Sequence, residues 1–146
     1  MRKVLLAAIF AVTLLATTPT FAQSPNFDPG PVWRVTYYHI KSGQADVFWK
    51  DFRENTKPIF EEFKKVGLIV DYKTFTNPVT DHPNDWNVAI SISYPNYAAL
   101  DQLAAKGATI VNKHFGSREA ALASAKKQDD IRDVIASHLA REVTSK

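Results

Sequence analysis

The sequence predicts an α+β domain, an antiparallel sheet with helices packed on it, and three stretches predict it. VWRVTYYHI, Val32 to Ile40, is rich in β-branched and aromatic residues, as a half-buried strand is. The Phe-rich stretch from Gln44 to Val66 repeats its apolar residues at helical spacing. In WNVAISISY, Trp86, Val88, Ile90, Ile92 and Tyr94 alternate with Asn87, Ala89, Ser91 and Ser93, which is the period of two of a strand with one buried face.

Ahead of these elements lies a segment of a different kind. Arg2 and Lys3 precede the apolar run Val4 to Leu15, and ATTPTFAQ follows from Ala16, the order of a secretory signal peptide. Small residues at Thr20 and Ala22 place the cut between Ala22 and Gln23, so residues 1–22 are expected to be removed and the mature chain to be exported, periplasmic or extracellular. A dozen apolar residues rise only about 18 Å as a helix, against a hydrocarbon core of about 30 Å, so cleavage is favoured over an anchor. With no cysteine to carry a lipid and no later apolar span, the mature protein is expected to have no membrane partner.

Removing that segment leaves 124 residues, the length of one domain that buries a workable core. It also removes two basic residues and no acid, so the precursor's net charge of +3 falls to about +1. Lys and Arg alternate with Asp and Glu along the chain, which argues against a nucleic-acid partner. The absence of cysteine excludes thiol catalysis, iron–sulfur clusters, cysteine-ligated zinc and disulfides, so packing must supply the stability.

Residues 23–31 hold three prolines and Gly30 and are expected to be an extended lead-in, with the domain proper at 32–146. The turn KSG closes the first strand. In the helix that follows, Phe48, Phe52, Ile59, Phe60, Phe63 and Val66 form one stripe, Asp46 suits the first turn and Gly67 a left-handed cap. Pro58 lacks an N–H and clashes one turn back, so a kink or restart is expected near Lys57. LIVDYKTFT, Leu68 to Thr76, reads as the second strand and NPVTDHPND as a turn-rich loop before the third. Asn96 is expected to cap a short helix ending at Gly107, with another turn or two in Ala108 to Phe115, and Ser117 to cap an Ala-rich helix to about Asp130. Ile131, Val134, Ile135, Leu139 and Val143 fit a helix, while Ile135, Leu139 and Val143 also share one face of a strand. The order of the other elements requires a closing strand there, which tips the reading to strand.

Strand, helix, strand, strand, helices, strand is the ferredoxin-like βαββαβ plan. The block VTYYHIKSGQADVFWKDFRENTKPIFEEFKKVGLIVDY, with its turn at Gly43, its Lys57-Pro58-Ile59 and its Gly67, resembles the opening half of the dimeric α+β barrel superfamily. That superfamily includes antibiotic-biosynthesis-type monooxygenases, stress-responsive barrel proteins and exported members of unassigned activity. The resemblance implies a homodimer with its sheets face to face, and a cavity between each sheet and its helices for haem, polyketides or other small aromatic molecules. Haem-degrading members use an Asn, a Trp and a His. Trp86 and His114 are candidates for two of these, but the first strand offers no Asn, so no cofactor is expected.

Pairing the first and third strands by apolar character puts Trp33, Val35, Tyr37 and His39 beside Trp86, Val88, Ile90 and Ile92, facing the helices. Arg34, Thr36 and Tyr38 would then join Asn87, Ala89, Ser91 and Ser93 on a face that meets the partner sheet or water. On this reading Trp33, Tyr37, His39, Trp86 and His114 are the candidate ligand-binding residues, lining an aromatic chamber for a small, largely apolar or aromatic molecule. Simple core filling accounts for the same aromatics. His39, His82, His114 and His138 lack metal-site spacing, and His82 with Asp81 and Asp85 has the composition of a turn. No nucleophile elbow, phosphate loop or dinucleotide fingerprint occurs. The sequence leaves three functions open: a small-molecule binder, a cofactor-independent monooxygenase-like enzyme using Tyr37, His39, Trp86 or His114, and a structural or regulatory dimer with a filled cavity.

Overall fold

The computed structural model describes residues 26–146; the expected signal segment and its cut after Ala22 lie outside the described residues. Four strands, β1 (Phe27–Ile40), β2 (Asp71–Thr76), β3 (Val88–Tyr94) and β4 (Arg132–Ser145), form one antiparallel sheet in the order β2-β3-β1-β4. β1 and β2 are not neighbours, because the first helical segment crosses over and β3 fills the gap between them. This is the ferredoxin-like arrangement, and the closing segment is a strand.

β1 begins earlier than expected, since Phe27, Asp28 and Pro29 pair with Ser145, Thr144 and Val143. β3 stops at the Val32–Tyr94 pair, so this end of β1 has a neighbour on one side only, where proline, lacking an N–H, is tolerated. The ladder shifts register between Pro29 and Val32 as a result of this irregular stretch.

The first helical segment is continuous but not uniform: α1 (Ala45–Asp51) and α2 (Lys57–Lys65) are joined by a π-helical turn over Phe52–Thr56. Pro58 is the second residue of α2, and just before it the Lys57 N–H bonds the Phe52 carbonyl, five residues back. The wider turn moves the backbone clear of the proline ring, so the restart expected near Lys57 is present without a break. Gly67, at φ 73°, then reverses the chain as no β-carbon-bearing residue does cheaply.

The second helical segment, α3 (Ala98–Gln102) and α4 (Ala108–Phe115), does not stop at Gly107 as the sequence suggests. Gly107 is helical and buried, and a β-carbon there would lie 3.1 Å from Leu103 Cδ1 and 3.4 Å from Phe63 Cζ. It serves close packing of α4 against α2, while the termination falls to Gly116 at φ 84°. Asn96 Oδ1 accepts from the Ala99 N–H and Ser117 Oγ from the Ala120 N–H, so both expected caps are made, the second opening α5 (Arg118–Ile131).

The core lies between one face of the sheet and α1 to α5. Val32, Tyr94, Ile59, Phe63, Leu68, Ile69 and Ala99 form one buried cluster. Ile40, Val88, Ile90, Phe48, Phe52 and Ile131 form the other. The apolar alternates of β3 therefore face the helices, but the expected facing of β1 is inverted. Trp33, Val35 and Tyr37 pair with Ser93, Ser91 and Ala89, on the side away from the helices, and Arg34, Thr36 and Tyr38 pair with Ile92, Ile90 and Val88 on the helix side. Aromatic stacking makes this tolerable for the cations: Arg34 Cζ lies 5.7 Å from the Tyr94 ring centre, and Arg132 Cζ 4.2 Å from that of Tyr38.

Asn87 fixes the entry to β3. Its Oδ1 accepts from the Ile40 N–H at 2.8 Å, its Nδ2 donates to the Ile40 carbonyl at 3.0 Å, and its own N–H bonds the Tyr38 carbonyl at 2.9 Å. The side chain acts as an extra rung between β1 and β3. Asn87→Ala should cost about 1–3 kcal/mol in urea unfolding, because it leaves two partly buried Ile40 groups unpaired. A change within experimental error would show that water replaces the amide.

Candidate functional site

Among the described residues, none forms a layer over the sheet face turned away from the helices. Its middle is a hollow of about 420 Å³ lined by Val35, Tyr37, Phe75, Thr76, Trp86, Ala89 and Ser91. Small residues of β3 make the floor, since Ala89 lies between Tyr37 and Phe75 in the cross-strand register and Ser91 between Val35 and Lys73. Aromatic rings make the walls: Tyr37 meets Trp86 edge to face at 5.1 Å and His138 of β4 at 6.0 Å. Such a floor and walls suit a flat, largely apolar group, with the Ser91 hydroxyl and Tyr37 phenol as orienting contacts.

The structure brings together only part of the predicted set. Tyr37 and Trp86 line the hollow, on the open face rather than in a chamber between sheet and helices. Trp33 shares that face, but its Nε1 donates to Glu142 Oε2 at 2.9 Å and Lys73 Nζ sits 5.7 Å from its ring centre. His39 donates from Nδ1 to the Asp85 carbonyl at 2.7 Å, which fixes the loop before Trp86. His114 is separated from all of these by the sheet. It lies on α4 beside a groove of about 530 Å³ with Glu62, Lys65, Val66, Ile110 and Lys113, and its Nε2 bonds Asn55 Oδ1 at 3.0 Å. Trp86 and His114 thus cannot serve one haem or one substrate.

Phe75 and His138 belong to the hollow's surroundings and are not candidates from sequence, while Ala89 and Ser91 are expected on the open face but not at a ligand site. The signal for Phe75 was the alternation in DYKTFT, which sets Lys73 and Phe75 opposite Tyr72. The loop around His82 is held by turn bonds, with Asp85 Oδ1 accepting from the Trp86 N–H at 2.8 Å and Oδ2 from the Asp81 N–H at 3.2 Å. Among the described residues no group of three or more His, Asp or Glu is placed to hold a metal ion.

On the helix side, Tyr72 donates to Glu61 Oε1 at 2.7 Å, and burial together with that carboxylate pushes its phenol up to about 12. A folded value above the ordinary 10 stabilises the fold below pH 10, and that contribution is lost as pH rises from 10 towards about 12. Ultraviolet titration should therefore show Tyr72 among the late-ionising tyrosines, and Tyr72→Phe should reduce the late step by one phenol and flatten the loss of stability in this window. A late step of unchanged amplitude in the variant would show that Tyr72 does not contribute to it.

These features define the class of protein: a ferredoxin-like α+β chain whose helices, among the described residues, cover one face of the sheet. Among solved structures, HapK from Hahella chejuensis is similar with a TM-score of 0.52 and 10% identity, over 79% of this chain and 95% of that one. A dimeric ferredoxin-like protein from an uncultured marine organism matches at 0.53 and 13%, over 80% and 90%. An ethyl tert-butyl ether d (EthD) family protein from Bacillus halodurans C-125 matches at 0.51 and 12%, over 77% and 98%. At such identities the likeness is one of fold. No protein-family model matches the sequence, and no curated protein matches it significantly.

Proposed function

We propose that the chain works as an exported homodimer whose open sheet faces meet and enclose a chamber for a small, flat, largely apolar molecule. The observation that carries this reading is the aromatic-walled hollow over a small-residue floor, on a sheet face that no helix among the described residues covers. Ala89, Ser91 and Ser93 let a second sheet approach closely, and Trp33, Val35, Tyr37 and Phe75 supply apolar area around them. A fold neighbour described as dimeric supports the assembly, and the signal-peptide pattern of residues 1–22 supports export.

Titrating the mature protein with a neutral naphthylamine dye tests the chamber. Saturable fluorescence enhancement is expected, weakened about tenfold in Trp86→Ala, since an aromatic wall contributes about 1 kcal/mol or more. Absence of saturable binding, or binding that Trp86→Ala leaves unchanged, would remove the ligand from this site. Export is tested separately by the intact mass of the secreted form, expected to begin at Gln23; a retained Met1 in a membrane fraction would refute it.

A further inference from the structure

The helix side of β1 and β4 holds a second set of groups that the open-face hollow does not use. Val32 pairs with Tyr94 on one side and Arg141 on the other, and Arg34 follows Val32 on the same face of β1. One sheet face thus gathers Arg34, Tyr94 and Arg141 around a single buried valine. Arg34 Cζ lies 5.7 Å from the Tyr94 ring centre, and Arg141 Cζ lies at the same distance from that of Tyr97, just ahead of α3.

Two properties of these groups matter. Among the described residues neither guanidinium lies within ion-pairing distance of a carboxylate, and Arg141 Nε donates to the Gly30 carbonyl at 3.3 Å. The Tyr94 side chain is completely buried, and its hydroxyl is without any hydrogen-bond partner among the described residues. A buried hydroxyl without a partner costs roughly 1–3 kcal/mol, so it marks a place where a polar atom is missing. Burial raises the phenol's pKa and the neighbouring Arg34 charge opposes that rise, so Tyr94 is a neutral donor beside a fixed cation.

The neighbouring surface supplies the rest of a site. Continuing from Arg34, the floor is the Thr36 and Ser137 hydroxyls, 3.1 Å apart, with Leu139 opposite Arg34 and Val134 further on. Leu139 and Val134 are 49% and 63% exposed. Cationic and hydroxyl donors at one end of an apolar strip match a molecule with an anionic head and an apolar body.

We propose that Arg34, Arg141 and Tyr94 form the head-group site for a carboxylate-bearing apolar molecule, whose body lies along Leu139 and Val134 of β4. A planar carboxylate fits the guanidinium fork, accepts two N–H bonds from Arg34 and takes the Tyr94 O–H, while Arg141 adds charge. The site stands on the opposite side of the sheet from the open-face hollow and does not depend on it.

Calorimetric titration of the mature protein with decanoate and with decanol, which share a chain and differ in the head, tests the proposal. Decanoate should bind about tenfold or more tightly than decanol. Arg34→Gln should abolish that preference, Tyr94→Phe should weaken decanoate a few-fold while filling the same volume, and Trp86→Ala should leave it unchanged. Equal affinities for the two amphiphiles, no binding of either, or full decanoate affinity in Arg34→Gln would each overturn the proposal. Should Arg34→Gln fail to fold, Arg141→Gln on the exposed edge strand decides it: retained preference for decanoate overturns the site, and loss supports it.

Discussion

Replacing Ser91 with arginine should convert the proposed homodimer into a monomer. Ser91 lies at the centre of the open face, between Val35 of β1 and Lys73 of β2 in the cross-strand register, and is itself 5% exposed. A guanidinium there would project into the partner sheet without a counter-charge and beside an existing lysine, at a cost of about 3–5 kcal/mol to the association. Light scattering at micromolar concentration should fall from two chains to one, and the melting temperature should lose its dependence on protein concentration. Ser137→Arg adds the same charge to the helix side of β4 and should leave the mass unchanged. A dimeric Ser91→Arg variant, or a wild-type monomer, would show that the sheets do not pair through this face.

Phe48→Ala should produce the largest loss of intrinsic stability. The ring is 2% exposed, meets Trp49 at 5.0 Å and Phe52 at 6.4 Å, and carries the Arg132 guanidinium at 5.6 Å, so α1, the π-helical turn and the start of β4 converge on it. Deleting a buried phenyl group costs about 3–5 kcal/mol, a large share of the roughly 5–15 kcal/mol that holds a domain of this size together. No cysteine is available to limit the damage with a disulfide. Urea unfolding should show the midpoint falling with little change in slope, whereas Val47→Ala, one residue earlier and 47% exposed, should stay within about 0.5 kcal/mol. A loss below about 1 kcal/mol for Phe48→Ala would mean that Trp49 and Phe52 close the gap.

Local chemistry was legible wherever one residue type has few alternatives. Pro58 announced the irregular helix, Gly67 the left-handed reversal, Asn96 and Ser117 the caps, and the alternation of WNVAISISY the buried face of β3. Gly107 shows the limit of that logic: the same residue ends a helix or admits a close neighbour, and only the position of Phe63 on α2 selects the second.

The candidate site was half legible. Tyr37 and Trp86 stand out by size and do meet, but the side of the sheet on which they meet was misjudged. Trp33 and Tyr37 looked like core residues because they are large, and Arg34 and Tyr38 like solvent-facing ones because they carry polar tips. In the folded chain the tips are accommodated on the helix side by stacking, Arg34 on Tyr94 and Arg132 on Tyr38, residues far apart in sequence. His114 was grouped with the others through a family resemblance, and the sheet separates it from them.

What the sequence by itself determined is therefore the set of elements and their order, because period, caps and turn residues act over a few positions and are written in adjacent residues. Which face of β1 meets the helices was decided by tertiary structure alone. A strand with large side chains on both faces satisfies the period of two either way, and the choice follows from the register that pairs Tyr37 with Ala89 and Tyr38 with Val88. That register depends on contacts more than forty residues apart, among them the Asn87 amide on Ile40. It places the aromatic hollow on one side of the sheet and the Arg34–Tyr94–Arg141 cluster on the other.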